Sequence, residues 1–305
     1  MPRVLCVGAI TMDTIFRLER LPEGTGKFIP LDAVEVAEGM AAAQAATIAR
    51  LGGEVALWAS AGDDATGDRL VAQISGEGVD CSRVRRVAGA RSGFSTILMD
   101  LKGATIIVPR YDPAITAPPE GAPDVTGFDV VMVDVRWPAA ARLALLAARR
   151  AHLPAILDAD MASREVLEDL LPLASHVVAS EGAARLLTGE TEPQVAAAAL
   201  LARHHGFVAV TAGALGCWWS EAGAIRHSPA PRIDAVDTLA AGDVFHAAFA
   251  LLVAEGRPMA ETIAFASAAA ALKCTRFGGR LGAPDRAEVE ALLDRQGQST
   301  ASLNR

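Results

Sequence analysis

Short apolar runs rich in β-branched residues alternate with alanine-rich stretches of helical periodicity through most of this chain. The strand-like runs include VLCVGAI, VALWASAG, DVVMVDV and PAILDAD, and helical runs such as AAAQAATIARLG and ARLALLAARRAHL separate them. This alternation predicts βαβ units around a mostly parallel sheet. The strand runs are apolar on both faces, as expected when helices cover both sides of the sheet. We therefore predict an α/β fold with a doubly wound, mostly parallel sheet flanked by helices.

Two segments break the alternation and indicate a small β lid. Residues 93–111 read as two strands joined by a turn at 100–103, which is typical of a hairpin. Residues 13–36 are also extended and turn-rich. We predict lid segments near 14–37 and 93–112, over one edge of a single α/β domain spanning 1–295. The polar residues 296–305 are predicted to form a flexible tail.

Composition excludes several classes of protein. The chain has 28 Lys and Arg against 36 Asp and Glu, and its net charge of −8 argues against a nucleic-acid-binding protein. The four cysteines, Cys6, Cys81, Cys217 and Cys274, are scattered, which favours neither a zinc site nor a disulfide framework. No signal peptide and no apolar run of membrane-spanning length is recognisable. We predict a cytoplasmic protein with small-molecule ligands and no membrane partner.

The stretch DTLAAGDVF, residues 237–245, suggests an anion site. Ala240, Ala241 and Gly242 leave the backbone N–H groups uncovered at the start of an apolar helix, where the helix dipole also favours a phosphoryl group. Asp243 follows, and a carboxylate there can accept the proton of an attacking hydroxyl. A tight strand-to-helix connection with Asp243 as a cap is an equally simple interpretation. The spacing alone leaves both open.

The same stretch resembles the C-terminal signature of the ribokinase-like (PfkB) carbohydrate kinases, D-T-x-[GA]-A-G-D-x-F. The segments VGAITMDTI, EGMAAAQAATIARLGGEVALWASAGDDATGDRL and VAVTAGALGC also match in the family's order, so the resemblance covers nearly the whole chain. It implies a ribokinase-like fold and an ATP-dependent phosphotransferase with an alcohol group as acceptor. It further implies ATP and Mg²⁺ as cofactors, with a monovalent cation, K⁺, as a further candidate.

The resemblance assigns roles residue by residue. Asp243 is implied to be the catalytic base. Residues 240–242 together with the Asp243 N–H are implied to form the anion hole, whereas Asp13 and Gly39 are implied to bind the sugar. The implied nucleotide and cation region comprises Thr211, Gly213, Gly216, Asp237 and Thr238, with Glu181 near the metal. The family's sugar motif GGxxxN reads EGMAAA here, at residues 38–43, and its asparagine is missing. The resemblance therefore does not extend to the family's usual ribose-binding motif.

Within the family, the closest resemblance is to bacterial sulfofructose kinases. It rests on VVMVDVRWPAAARLALLAARRA, AILDADM and especially ALKCTRFGGRLGAPD. These enzymes phosphorylate the C1 hydroxyl of 6-deoxy-6-sulfofructose. Lys27 in the lid and Arg136 after a strand end are predicted to bind the sulfonate, although surface charges are the simpler interpretation. Pro109 and Arg110 depart from the pattern, so Arg110 either binds the sulfonate or indicates another anionic group.

We therefore predict an ATP-dependent kinase for an anionic ketose, with 6-deoxy-6-sulfofructose as the best substrate. The alternatives within this class are 2-keto-3-deoxygluconate, fructose 6-phosphate, ribose and a nucleoside. A non-catalytic sugar or nucleotide sensor that kept the fold is the alternative from another class. The exposed edges of the hairpin predict a homodimer through the lid. His246, three residues after Asp243, is predicted to serve packing or to support a neighbouring site residue.

Overall fold

A nine-stranded sheet forms the centre of the chain, and a smaller four-stranded sheet lies apart from it. These features come from a computed structural model that describes residues 1–303, with the side chains of residues 1–295. The strands are β1 (Arg3–Gly8), β2 (Thr11–Leu18), β3 (Asp32–Glu38), β4 (Glu54–Gly62), β5 (Arg85–Val87), β6 (Gly93–Asp100), β7 (Thr105–Arg110), β8 (Val130–Val133), β9 (Ala155–Ala159), β10 (His176–Ser180), β11 (Phe207–Thr211), β12 (Cys217–Glu221) and β13 (Ala224–Ser228).

The large sheet has the strand order β13-β12-β11-β10-β9-β8-β1-β4-β5. Every pairing from β5 to β11 is parallel, and only the β11–β12 and β12–β13 pairings are antiparallel. Strands β4 and β5 lie on one side of β1 and strands β8 to β13 on the other, so the strand order changes direction at β1. Ligand crevices commonly form at such a point, beyond the carboxyl ends of the parallel strands. The predicted doubly wound, mostly parallel sheet is confirmed.

Helices cover both faces of this sheet. They are α1 (Met40–Arg50), α2 (Ala65–Gly76), α3 (Pro113–Thr116), α4 (Pro138–Arg150), α5 (Arg164–Leu170), α6 (Glu181–Thr188), α7 (Pro193–Arg203), α8 (Ala241–Ala254), α9 (Met259–Cys274) and α10 (Arg286–Leu303). One core cluster packs α1, α8 and α9 on one face of the sheet. A second cluster packs the helices α4, α5, α6 and α7 on the other face. Alanine supplies much of both clusters, since its small side chain lets helices approach closely.

Three further expectations concern the C-terminal tail, membrane-spanning helices and the cysteines. Residues 296–305, predicted as a flexible tail, lie outside the residues whose side chains are described, so that expectation stays a prediction. None of the described helices is both long enough and apolar enough to cross a bilayer. All four cysteines are free thiols, in agreement with their scattered spacing.

The small sheet has the order β3-β2-β6-β7 and confirms the predicted lid. Strand β2 pairs antiparallel with β3 and parallel with β6, and β6 and β7 form the expected hairpin. Asp100 closes the hairpin turn, because its Oδ1 accepts the N–H groups of Lys102 at 2.8 Å and Ala104 at 3.0 Å. The buried side of the lid packs on partly buried Leu239, which directly precedes the predicted anion site, and on partly buried Phe277.

Candidate active site

A cavity of 370 Å³ opens between the lid and the carboxyl ends of the central strands. Strands β2, β3, β6 and β7 line one side of it, and residues that follow β8 and β9 line another. The start of α8 closes its floor with Leu239, Ala240 and Asp243. The cavity therefore brings together the two halves of the sequence that the motifs had singled out.

A second cavity of 240 Å³ adjoins the first. Met40, Asp160, Ala240 and Asp243 line both cavities. The second is completed by residues at the ends of β9, β10 and β11 and in the first turns of α8, namely Asp158, Ser180, Thr211, Gly242 and His246. Asp243 consequently stands at the junction, where a group bound in one cavity can react with a group bound in the other.

The first turn of α8 leaves backbone donors facing this junction. Ala240 precedes the helix in the left-handed region at φ 58°, and its carbonyl oxygen accepts the N–H of Val244 at 3.0 Å. The N–H of Ala241 donates to the Thr238 carbonyl oxygen at 3.2 Å, so it is engaged within the turn. The N–H groups of Gly242 and Asp243 belong to the first turn, where an α-helix offers them no acceptor. These two N–H groups are the better candidates for an anion hole.

Gly242 is exposed, and a Cβ added to it would meet nothing within 4 Å. Packing therefore does not demand a glycine there. The open space above its backbone is what an approaching phosphoryl group needs.

Burial raises the pKa of Asp243 well above its ordinary value. The neighbouring carboxylates of Asp158 and Glu38 raise it further, because a second negative charge nearby disfavours ionisation. A carboxyl group with a raised pKa accepts a proton more readily when it is ionised. The position and environment of Asp243 thus suit a general base.

Asp13 lies on the opposite wall of the larger cavity, on β2. Its Oδ1 is buried and has no hydrogen-bond partner. Burial raises the pKa of this carboxyl group, and the hydroxyls of Ser95 and Thr11 oppose that rise. A buried carboxylate on the wall of a cavity is a natural acceptor for a sugar hydroxyl.

Gly39 lines the cavity, but packing explains its lack of a side chain. Its φ is 96°, and an added Cβ would lie 2.8 Å from the carbonyl oxygen of Ala9. The backbone of the segment after β1 therefore passes directly against the start of α1. The sequence had implied only an approach to the sugar.

Asp134 was not predicted, yet it organises this wall. Its carboxylate is fully buried and accepts the N–H groups of Ala9 at 2.8 Å, Ala41 at 3.0 Å and Arg136 at 2.7 Å. These three bonds tie the end of β1, the first turn of α1 and the segment after β8 together. An acidic residue at the end of the apolar run VVMVDV was the available signal.

Glu38, noted in the sequence only as a departure from the family motif, is a second buried acid at the cavity. Its Oε1 accepts the N–H of Arg280 at 2.7 Å. Burial raises the pKa of Glu38 to about 8. An added Cβ on Gly279 would lie 2.2 Å from Oε1, so Gly279 makes room for this side chain.

Arg136 is the one predicted cation that lines the cavity. Its Nη2 lies 3.3 Å from Oδ2 of Asp160, and its Nη1 donates to the carbonyl oxygen of Met161 at 2.8 Å. The guanidinium is therefore already engaged by protein oxygens. Four carboxyl groups, of Asp13, Glu38, Asp160 and Asp243, line the same space.

Lys27 and Arg110 do not line the cavity. Lys27 is exposed in the long connection between β2 and β3. Arg110 is exposed at the end of β7 and donates to the carbonyl oxygen of Tyr111 at 2.9 Å, while Pro109 and Tyr111 beside it do line the cavity. The expected convergence of cations on one anionic group is not present in this arrangement.

The residues implied for the nucleotide fall into two groups. Thr211 lines the second cavity, whereas Gly213 and Gly216 form the turn after β11 with φ of 51° and 98°. An added Cβ on Gly216 would lie 2.1 Å from the carbonyl oxygen of Ser228, so this glycine serves the close approach of β13. Glu181 is exposed at the start of α6 and is absent from both linings, although Ser180 before it is present.

The donor set fits a magnesium ion delivered with a nucleotide. Among the side chains that the structure describes, no group of three or more His, Cys, Asp or Glu is arranged to hold a metal. Mg²⁺ usually binds through one or two carboxylates together with substrate phosphates and water. Asp160 and Asp158, which line the second cavity, are the carboxylates placed to contribute.

His246 contacts the first turn of α8. Its Nδ1 lies 2.7 Å from the Gly242 carbonyl oxygen, and its Nε2 lies 3.2 Å from Oδ1 of Asp158. Burial lowers the pKa of His246 and raises the pKa of Asp158. Nε2 also lies 3.3 Å from the Val178 carbonyl oxygen, so both ring nitrogens face oxygens. The predicted packing role thus includes a hydrogen bond to the turn.

Asp237 and Thr238 lie outside both cavity linings. Thr238 is exposed, whereas Asp237 is buried, and its Oδ1 accepts the N–H of Leu239 at 2.8 Å. Its Oδ2 accepts the N–H groups of Gly278 at 2.9 Å and Gly279 at 3.0 Å. Asp237 therefore connects the segment before α8 to the loop after α9.

Comparison with known proteins decides the family. The profile of the pfkB family carbohydrate kinases matches residues 1–286. The chain belongs to the pfkB family of carbohydrate kinases. This membership confirms the resemblance, and with it the predicted enzyme class, an ATP-dependent sugar kinase with an alcohol group as acceptor.

Individual relatives of this pfkB family kinase are named ribokinases. Ribokinase from Bacillus subtilis is 27% identical over 303 residues, which cover 96% of this chain and 100% of the relative. A solved structure from Agrobacterium tumefaciens, provisionally assigned as a ribokinase, is 45% identical with a TM-score of 0.95 and covers 97% of this chain and 99% of that one. Arabidopsis thaliana ribokinase, solved in complex with ribose and ATP, is 28% identical with a TM-score of 0.82, covering 96% and 98%. These names support the sugar kinase and give no support to sulfofructose as substrate.

Proposed function

We propose that this pfkB family kinase transfers the γ-phosphoryl group of ATP to a hydroxyl of a small sugar bound beneath the lid. The observation that carries the proposal is the pairing of Asp13 and Asp243 across one cavity. Asp13 offers a buried carboxylate oxygen without a donor, and Asp243 stands where this cavity meets the second one. A sugar hydroxyl and a phosphate donor can meet at that junction.

In the proposed reaction, Asp13 orients the sugar, and the lid excludes water from it. Asp243 accepts the proton of the attacking hydroxyl as the hydroxyl oxygen bonds to the γ-phosphorus and the bond from that phosphorus to the leaving ADP breaks. The N–H groups of Gly242 and Asp243 stabilise the charge on the transferred group. Bound Mg²⁺ supplies charge neutralisation on the ATP phosphates, and the carboxylates of Asp160 and Asp158 are the residues that would hold it.

A neutral polyhydroxy sugar is the substrate class that the cavity favours. Four carboxyl groups line it against a single guanidinium that already pairs with Asp160. Even with Glu38 protonated, the lining has no excess of positive charge to offer an anion. The relative solved with ribose and ATP agrees with this choice.

Arg136 supports a second candidate, 6-deoxy-6-sulfofructose. Its guanidinium reaches the cavity and can bind two oxygens of one oxyanion if it leaves Asp160. Recognition of 6-deoxy-6-sulfofructose would then require the Arg136 guanidinium to exchange the Asp160 carboxylate for the sulfonate.

The lid is also the proposed contact of a homodimer. All six residues of β7 are exposed, and Ile106 and Val108 present 42% and 59% of their surfaces to solvent. An exposed apolar edge strand invites pairing with another chain. A second copy of the same lid would cover this edge.

The deciding experiment measures ADP release with MgATP and a panel of acceptors: ribose, fructose, 6-deoxy-6-sulfofructose, fructose 6-phosphate, 2-keto-3-deoxygluconate and adenosine. We expect turnover with a neutral sugar, and a loss of about 10³-fold in kcat for Asp243→Asn with sugar binding retained. Preference for 6-deoxy-6-sulfofructose would instead indicate that Arg136 binds the sulfonate and determines the substrate. No turnover with any acceptor, together with measurable sugar binding, would support the sensor instead.

A further inference from the structure

Lys273, in the last turn of α9, holds a fully buried ammonium group. Its Nζ donates to the carbonyl oxygen of Asp237 at 2.8 Å and lies 3.1 Å from Oδ2 of the same residue. The other two lysines of the chain, Lys27 and Lys102, are both exposed. Because removing an ammonium from water is unfavourable unless it is paired, such a group requires a specific explanation.

The ammonium lies beneath the segment that leads into α8. The Cys274 carbonyl oxygen accepts the N–H groups of Val236 at 2.8 Å and Asp237 at 3.1 Å, so the end of α9 is joined to this segment by the backbone as well. The carboxylate of Asp237 then holds the N–H of Leu239, directly before the left-handed residue Ala240. The positive charge of Lys273 therefore fixes the acid that shapes the entrance to the anion-binding turn.

The contacts of Lys273 bear on whether the expected K⁺ ion can bind at Asp237. A monovalent metal ion in this region would need the carbonyl and carboxylate oxygens of Asp237, which are the oxygens that suit hard cations. Lys273 binds both of them. A metal ion placed beside the ammonium would also be repelled by it. The residues present do not fit K⁺ at Asp237.

We propose that Lys273 is the built-in cation of the anion-binding turn and that phosphoryl transfer by this protein needs no monovalent metal ion. The inference rests on the proposed kinase function. Lys273 is a positioning residue, because it acts through Asp237 on the backbone of the turn. The Lys273 ammonium thus supplies the positive charge that a bound monovalent metal ion would otherwise supply.

The first test compares the wild-type protein in KCl and in tetramethylammonium chloride at equal ionic strength. We expect kcat/KM to differ by less than about twofold, since the cation position is already filled. Activation of about tenfold or more by KCl would overturn the proposal. The melting temperature is measured in the same two salts, and we expect no K⁺-specific increase. That second reading does not depend on turnover, so it decides the proposal even if no sugar in the panel is phosphorylated.

The second test removes the ammonium. Lys273→Ala leaves space beside the oxygens of Asp237, so we expect it to lose activity and to recover about tenfold or more with methylammonium or K⁺. Lys273→Met fills the space without a charge and should show no recovery. Lys102→Ala, at the exposed hairpin turn, is the matched control and should behave like wild type. Full activity of Lys273→Met would contradict the proposal, and so would recovery of Lys273→Ala by tetramethylammonium to the same extent as by K⁺.

Discussion

The Nδ1 atom of His246 lies 2.7 Å from the carbonyl oxygen of Gly242, so a buried imidazole contacts a residue of the first turn of α8 that lines the second cavity. The other ring nitrogen of His246 faces Oδ1 of Asp158 at 3.2 Å. The orientation of the turn is thus connected to a buried acid on β9. Substitutions along this connection should affect both folding and turnover.

We expect His246→Ala to lower the free energy of unfolding by about 1–3 kcal/mol, because it leaves buried polar groups without their partner. Urea unfolding monitored by tryptophan fluorescence measures this change. A double-mutant cycle with Asp158→Asn provides the control, since the two effects should not add. Strict additivity would argue that the two side chains do not interact.

The raised pKa of Asp243 predicts a pH dependence of the reaction. The base must be ionised, so kcat/KM should rise with pH through the raised pKa and fall away on its acid side. We expect the acid limb well above the range of an ordinary aspartate. The measurement is kcat/KM against pH, with Asp63→Asn, at an exposed acid, as the control. A rate that stays constant down to the ordinary aspartate range would remove Asp243 as the base.

Glu38 predicts a pH dependence of stability in the ligand-free protein. Its pKa is raised from 4.5 to about 8 on folding, so the folded state binds the proton more tightly than the unfolded state. Ionisation of Glu38 therefore destabilises the fold progressively as pH rises through that window. Glu38→Gln keeps an acceptor for the Arg280 N–H and removes the ionisation.

We expect the stability of Glu38→Gln relative to wild type to improve with pH by on the order of 1 kcal/mol per pH unit across this window. Guanidinium unfolding at several pH values measures the difference. A constant difference between the two proteins would show that Glu38 does not change its pKa on folding.

Arg136→Ala separates the two substrate candidates. If the substrate is a neutral sugar, the substitution should change KM for ribose or fructose and for 6-deoxy-6-sulfofructose by similar factors, within about threefold of each other. A rise in KM confined to the sulfosugar, of about tenfold or more, would instead identify Arg136 as the sulfonate ligand. Steady-state kinetics with both acceptors provides the comparison.

The proposed dimer depends on the outer face of β7. Val108→Glu should convert a dimer to a monomer without lowering the melting temperature, because a charge at the apolar edge disfavours pairing. Light scattering coupled to gel filtration measures the mass. Val195→Glu, at a similarly exposed valine on α7, is the matched control. A monomeric wild-type protein would rule out the lid contact at the tested concentration.

Local pattern was sufficient for the fold. The alternation of apolar strands and alanine-rich helices predicted the sheet, and the two interruptions predicted the lid, because each signal lies within one element and its neighbour. Asp243 and Asp13 were accessible through the family motif, and the structure places both at one cavity.

The remaining site residues depend on distant pairing that one sequence does not display. Lys273 and Asp237 are 36 positions apart, and Glu38 meets Arg280 across 242 positions. Lys27 was a reasonable candidate from its place between two lid strands, but the connection that contains it is exposed. Charge alone therefore did not distinguish the lysine in solvent from the lysine in the core.

The lid core formed by Ile15, Val36, Ile97 and Met99 packs on Leu239 and Phe277, which flank the two ends of the Asp237 network. The lid over the first cavity and the start of α8, which lines both cavities, thus belong to a single packed unit. A sugar bound beneath the lid and a nucleotide bound at the start of α8 would therefore contact the same packed unit. Linkage then demands reciprocity: whatever factor the sugar adds to nucleotide affinity, the nucleotide must return to the sugar.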